Sequence, residues 1–367
     1  MKIGVLTSSR ADYGIYYPLL KKLKTDSFFS LEVIAFGTHL SSKHGYTLKS
    51  IEADNYTIIH KINSLIDTDD RKSIVNSYGL TIIKFAAFWQ ANHYDIVFCL
   101  GDRFEMSAAV QAGIPFGVKF AHIHGGETTK GAIDNVYRHQ ITLASEFHFT
   151  ATDIYKKRVI DLLGSSKNVF SVGSLSLDTL KSFVPTDRKL FLSAFEIPDV
   201  PFALVTFHPE TRAFNDHIVL SLEMKNALSV ISKEIFSIIT MPNADTEASV
   251  YREAIMQLKR EYPNRILLIE NFGKQNYFSA MIHSKIVIGN SSSGIVEAAS
   301  FGKYVVNVGN RQEGRAQSKN IINCKFDKEA IIMATNKAIG LKNYKGDNIY
   351  YLKNVADNII KIIKEFS

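Results

Sequence analysis

The stretch IVIGNSSSGIVEAASFG, residues 286–302, runs from β-branched residues through an asparagine and three serines to a glycine, then into a helical pattern. An apolar strand that turns through small residues into a helix is the repeating unit of an α/β protein. Such a turn presents free backbone amides and the positive end of a helix dipole, which together suit a phosphate. Ser291, Ser292 and Ser293 add hydroxyl donors, and Gly294 lets the backbone approach a ligand closely. Serine is also a preferred N-cap, so a well-capped helix is the competing reading. Glu297, one turn into the helix, favours a larger ligand. A carboxylate repels a bare phosphate unless it faces another part of the molecule, such as a sugar hydroxyl pair, so a nucleotide fits better.

The same alternation extends in both directions. Strands are expected at KIGVLT, LEVIAFGT, DIVFCLGD, FGVKFAHIH, FHFTAT and VFSVG, and again at FALVTFHP, SIITMPN, RILLIEN, KIVIGN and YVVNVG, with helical patterns between them. Between the two series, FVPTDRKLFLSAFEIPDVPF holds three of the chain's 8 prolines and marks a link between domains. The expectation is α/β, with two Rossmann-like domains of residues 1–183 and 184–367 facing across a cleft. The terminal segment IYYLKNVADNIIKIIKEFS reads as one or two amphipathic helices. At 367 residues the chain exceeds one ordinary core.

Composition excludes several classes. No apolar run reaches the roughly 18 residues that span a bilayer, and MKIGVLTSSR turns polar too soon for a secretion signal, which points to the cytoplasm and no membrane. The formal charge of +7 suits an anionic ligand, but the basic residues are scattered, and nucleic acid would want a clustered stripe. Cys99, inside DIVFCL, and the distant Cys324 read as free thiols, with Cys99 buried.

In open α/β sheets ligands bind beyond the carboxyl ends of the strands. Arg10, His39, Asp102, His124, Glu127, His208, Asn243 and Asn290 all follow expected strands. Asp102 in GDRFEMSAA ends a buried strand, where an unpaired charge is costly, so it belongs at the strand tip or at the helix N-cap. Arg103 and Glu105 read as neighbours' partners. The densest polar run is HIHGGETTKGAIDNVYRHQI, residues 122–141. Its His122 reads as a satisfied core residue, whereas His124, Glu127 and Asp134 are candidates for chemistry. Two histidines and carboxylates could hold a metal, but the ligands would straddle a turn with two glycines, and acid/base work at a carbon centre is favoured. His208 in TFHPETR, Arg10 in TSSRADYG, and Arg311 and Arg315 in GNRQEGR supply groups for a diphosphate. Asn243 and Asp245 in MPNADTEAS lie at a strand tip, as ligand contacts or as turn caps.

These motifs, with VGSLSLD, FHPET and NADTEA, follow in the order and spacing of a known family. From about residue 3 to 318 the chain resembles the hydrolysing UDP-N-acetylglucosamine 2-epimerases of bacterial sialic acid synthesis. The resemblance implies the glycosyltransferase-B architecture, a last helix packed back on the first domain, a UDP-sugar substrate, no metal or nicotinamide cofactor, and a homo-oligomer, dimer or tetramer. It implies Asp102, Glu127 and Asp134 as catalytic carboxylates, with His208 near the diphosphate; His124 stays a catalytic candidate on its place after the strand. It implies Ser291, Ser292, Gly294 and Glu297 as holding the phosphates and ribose, beside which Arg10, Asn243, Asp245, Arg311 and Arg315, read from their positions, are expected to bind the nucleotide sugar. Vertebrate-type relatives carry an acid where this chain has His124. Non-hydrolysing relatives carry two adjacent acids where it has Asp134 and Asn135, so the loss of one favours the hydrolysing branch. The same reaction on a UDP-linked 2,4-diacetamido-2,4,6-trideoxyhexose, or glycosyl transfer on the same fold, are the alternatives.

Overall fold

The structure, a computed structural model, describes residues 1–66, 68, 70–211, 216–242 and 247–366. The chain forms two compact units. The first comprises Met1–Glu127, Asp134–Lys181 and the C-terminal stretch from Tyr350; the second comprises Thr128–Ile133 and Ser182–Ile349. The main boundary therefore lies at Lys181/Ser182, beside the proline-rich stretch, but the chain also visits the second unit for six residues after Glu127.

The first unit is built on strands β1 (Lys2–Thr7), β2 (Ser30–Phe36), β3 (Ile58–Ile62), β4 (Ile96–Leu100), β5 (Phe120–Ile123), β6 (Phe147–Thr150) and β7 (Val169–Ser171). They form one parallel sheet in the order β3-β2-β1-β4-β5-β6-β7. The second unit has β8 (Phe202–Thr206), β9 (Phe236–Thr240), β10 (Ile266–Ile269), β11 (Ile286–Gly289), β12 (Val305–Val308) and β13 (Ile321–Cys324). Its sheet is also parallel, in the order β10-β9-β8-β11-β12-β13. Both orders reverse direction at one point, between β1 and β4 and between β8 and β11. That reversal opens a crevice at the carboxyl edge of each sheet.

The period of two along each strand feeds two cores per unit. Ile3, Val5, Val33, Ala35, Phe98 and Leu100 face one side of the first sheet, and Leu6, Ile34, Phe36, Val97 and Cys99 face the other. In the second sheet Ala203, Val205, Ile286 and Ile288 oppose Phe202, Leu204, Val287 and Val305. Helices cover both faces, which is why the central strands read as continuous apolar runs. Of the four edge strands, β7 and β10 are among those expected from the sequence, whereas β3 and β13 are not, because they are only partly buried and carry polar residues such as His60, Lys61 and Asn323.

The C-terminal segment forms one helix, Val355–Glu365, whose Val355, Ala356, Ile359 and Ile363 join the core of the first unit. It is tied there by ion pairs of Lys22 with Asp357 and of Lys364 with Asp26. The approach is fixed by a 2.5 Å contact between the Tyr155 and Tyr350 hydroxyls. At Gly173, with φ of 90°, a Cβ would sit 2.7 Å from Leu352. Cys99 and Cys324 are free, and burial pushes the Cys99 thiol up to about 12. Among the described residues no helix is long and apolar enough to cross a membrane.

Candidate functional site

In the first unit β1 ends in Thr7-Ser8-Ser9 and turns into the helix Arg10–Thr25. Ser9 is the N-cap, in a capping box with Asp12. The buried Asp12 carboxylate accepts four hydrogen bonds, from the main-chain N–H groups of Ser8 and Ser9 at 3.0 and 3.1 Å and from their hydroxyls at 2.7 and 2.8 Å. These serines are thus spent on the turn itself. The exposed Arg10 follows as the first helical residue. His39 is buried between the hydroxyls of Thr7 and Thr47, at 2.9 and 2.8 Å, and burial lowers its pKa to about 4. It is a neutral structural residue.

The tips of β4 and β5 carry the acids. Beyond β4 the chain turns through Gly101, at φ 74°, to Asp102. The following helix is capped at Arg103 without a side-chain hydrogen bond, so Asp102 is not the N-cap. Its carboxylate instead accepts from Nη2 of Arg138, a guanidinium that is 1% exposed, while Nη1 of Arg138 donates to the Glu127 carbonyl at 3.0 Å. The Glu127 carboxylate is buried and lies 2.8 Å from Nδ1 of His124. His124 has φ of 67°, a left-handed conformation that a non-glycine residue adopts at a cost, and such positions cluster at functional sites. Its Nε2 lies 3.5 Å from Ser174 Oγ, in the VGSLSLD motif. Asp102, His124 and Glu127 therefore belong to one network, and Arg138, which the sequence reading passed over, organises it. The available signal was its place four residues after Asp134 on the same helical face.

His122 is buried, with Nε2 at 2.9 Å from the Gly101 carbonyl and Nδ1 at 3.1 Å from the Thr142 hydroxyl. Burial lowers its pKa to about 3, as befits a core histidine. Glu105 is buried too, beside Arg103 at 3.2 Å, and desolvation raises its pKa. Asp134 is the first residue of the helix Asp134–Leu143 that bears Arg138. The segment before it packs within the second unit: Lys130 N–H donates to the Glu313 carbonyl at 2.9 Å, Ile133 N–H donates to the Thr211 hydroxyl at 2.9 Å, and a Cβ on Gly131 would lie 2.4 Å from the Asn310 carbonyl oxygen.

In the second unit the switch point joins β8 and β11. Gly289 has φ of 133°, and a Cβ there would stand 1.8 Å from the Thr206 carbonyl oxygen, so only glycine lets β11 close on β8. The buried Asn290 then binds the main chain of His208 through its side-chain amide, and its own carbonyl accepts from Arg311 Nη1 at 3.3 Å and Gln312 Nε2 at 2.9 Å. The buried Glu210 accepts the N–H groups of Asn310 and Arg311, at 2.6 and 3.2 Å. His208 and the loop bearing Arg311 and Arg315 are thereby held to one strand tip.

The serine turn differs from expectation in one respect. Its helix is five residues long, Ser292–Val296, and continues as a 3-10 turn, Ala298–Phe301, so its dipole is short. Ser291 is the N-cap and Ser293 bonds the Tyr277 hydroxyl at 2.6 Å. Ser292 is the exposed member. Gly294 has a packing role: a Cβ would lie 3.0 Å from Val305 Cγ1, so its smallness brings the helix onto β12. Glu297 is buried and is the helix C-cap. Asn243 and Asp245 lie outside the described residues.

The sequence and fold have known counterparts. The family model for UDP-N-acetylglucosamine 2-epimerase matches residues 21–364. The polysialic acid biosynthesis protein P7 of Escherichia coli is 33% identical over 374 residues, covering 100% of this chain and 94% of that protein. The hydrolysing GDP/UDP-N,N'-diacetylbacillosamine 2-epimerase of Campylobacter jejuni is 34% identical over 329 residues, covering 89% of this chain and 85% of that one. The crystal structure of the UDP-GlcNAc 2-epimerase of Neisseria meningitidis bound to UDP-GlcNAc superposes with a TM-score of 0.81 at 18% identity, covering 100% of both chains, which shows a shared fold. A chain matched to this extent belongs to the UDP-N-acetylglucosamine 2-epimerase family and is a sugar-nucleotide epimerase.

Proposed function

We propose that this protein is a hydrolysing epimerase that converts UDP-N-acetylglucosamine to UDP and free N-acetylmannosamine, the precursor for sialic acid synthesis. The observation that carries the reading is the buried Arg138 that ties the Asp102 carboxylate to the main chain of Glu127, itself paired with His124. Such an assembly holds acid/base groups at fixed positions on the carboxyl edge of a sheet, where the chemistry of this fold class is carried out.

In this reading the second unit holds UDP. Ser291, Ser292 and Gly294 form the turn that receives the phosphates, Glu297 takes the ribose hydroxyls, and His208, Arg311 and Arg315 meet the diphosphate; Arg10 is a further cation assigned to it. The sugar lies against Asp102, Glu127, Asp134 and His124. A carboxylate takes the C2 proton, the C2–H electrons become the C1–C2 double bond, and the C1–oxygen bond breaks with its electrons on the departing diphosphate. Cationic groups at the diphosphate stabilise that charge. Water then adds its oxygen to C1 while a proton reaches C2 from the opposite face. Two proton transfers on opposite faces require more than one placed acid or base, which is the use of several carboxylates.

A second substrate has specific support. The 34% identity to an enzyme named for N,N'-diacetylbacillosamine favours testing a UDP-2,4-diacetamido-2,4,6-trideoxyhexose beside UDP-N-acetylglucosamine. Proton NMR in heavy water, without metal or acceptor, tests both. Free N-acetylmannosamine with deuterium at C2 and equimolar UDP is the expected result. Release of UDP only from the diacetamido substrate would move the assignment to that sugar, and release only with an acceptor would make the protein a transferase.

A further inference from the structure

The ladder between β8 and β11 has its last regular pair at Thr206 and Gly289. Asn290 N–H still donates to the Thr206 carbonyl at 3.1 Å, and there the main chain of β11 turns away toward Ser291. The main chain of His208 would then lose its partners in a buried place, which is costly. The Asn290 side chain replaces them. Its Oδ1 accepts from His208 N–H at 2.7 Å, and its Nδ2 donates to the His208 carbonyl at 2.9 Å. The two main-chain partners fix which end of the amide is oxygen. A side-chain amide thus continues the strand ladder in place of a peptide, and Asn290 is fully buried. Freed from the ladder, its own carbonyl receives Arg311 Nη1 and Gln312 Nε2.

We propose that Asn290 is a positioning residue that acts through His208, continuing the β8/β11 ladder with its side chain so that His208 and Arg311 form one prearranged group for the leaving diphosphate. The proposal rests on the reading of His208 as a diphosphate contact. The residue type follows from the geometry. Aspartate keeps the acceptor but turns a second oxygen against the His208 carbonyl, alanine leaves both main-chain groups open, and glutamine is one methylene too long for the same two bonds. Small displacements of a group that meets developing charge are expensive in rate.

The test is a double-mutant cycle on release of UDP from UDP-N-acetylglucosamine, or from whichever of the two UDP-sugars the wild type cleaves, with thermal melting alongside. Asn290→Ala should lower kcat by about tenfold to a hundredfold in the wild-type background. In the His208→Ala background the same change should cost less than about twofold, because the main chain that Asn290 holds no longer carries the imidazole it positions. Equal losses in both backgrounds would show a role independent of His208 and overturn the proposal. Wild-type turnover of His208→Ala would overturn the diphosphate reading of His208 and the proposal with it. Should Asn290→Ala fail to fold, Asn290→Asp, which keeps the shape and one of the two bonds, enters the same cycle with the same expectation.

Discussion

Arg138 holds Asp102 and Glu127 at once, with Nη2 donating to the Asp102 carboxylate and Nη1 donating to the Glu127 carbonyl at 3.0 Å. The guanidinium is a planar fork whose two arms reach different loops, and an ammonium presents a single point of charge. Arg138→Lys should therefore keep the charge and lose the geometry. Turnover is expected to fall by about a hundredfold, with UDP affinity within twofold of wild type in calorimetry. Equal loss of turnover and UDP affinity would place Arg138 at the nucleotide instead.

Asp102 is not a helix cap, but its carboxylate pairs with the buried Arg138, so its replacement by asparagine, which keeps the shape and an acceptor oxygen, should lower the melting temperature while leaving a folded protein to assay. Asp102→Asn is expected to bind UDP normally and to lose turnover by about 10²- to 10⁴-fold, the span of a general acid or base. Deuterium exchange at C2 of the substrate separates the proton-transfer step from product release. A variant that turns over at the wild-type rate would remove Asp102 from the chemistry.

Ser292 and Gly294 lie two residues apart but should fail differently. Ser292 is exposed, and Ser292→Ala should weaken UDP binding by about five- to tenfold, the worth of one hydrogen bond, at unchanged melting temperature. Gly294→Ala places a Cβ 3.0 Å from Val305 Cγ1 and should lower the melting temperature even without ligand. Gly289→Ala is the severe case, since its Cβ would overlap the Thr206 carbonyl; loss of soluble folded protein is expected.

Three buried histidines predict acid sensitivity. Burial is the first cause of the lowered pKa values of His39, His122 and His148, to about 4, 3 and 4. Between those values and the ordinary value near 6.5 the unfolded chain binds more protons than the folded one. Stability is thus fully present above about pH 6.5 and is lost as pH falls toward 4. His148 offers the cleanest control, because its ring is buried in β6 and its Nδ1 has no hydrogen-bond partner among the described residues. Urea unfolding at pH 7 and pH 5 should show a smaller difference for His148→Phe than for the wild type. An equal difference would assign the acid sensitivity to other groups.

Much of the fold was legible because each sheet is buried on both faces. Its central strands had to be apolar runs, and the helices between them had to be longer and mixed. The edge strands β3 and β13 were not legible, since an edge needs no such run and these two carry polar residues, whereas the edges β7 and β10 kept enough apolar residues to be read. Candidate acids were legible as polar residues directly after strands, a position that puts them on the carboxyl edge. Arg138 and Asn290 were less so. An arginine inside a helix or an asparagine at a strand end has an ordinary structural reading until its partners are known.

The sequence by itself determined the class of fold, the family and the residue types available for acid/base work and phosphate binding, because strand period, turn chemistry and motif order are local properties of the chain. Only the tertiary structure decided how those residues are used. It turned the glycine of the serine turn into a packing contact, spent Ser8 and Ser9 on Asp12, and gave Asp102 and Glu127 a common arginine 36 and 11 residues away. Such pairings join groups on different strands and helices, and their distances are set by how the layers pack.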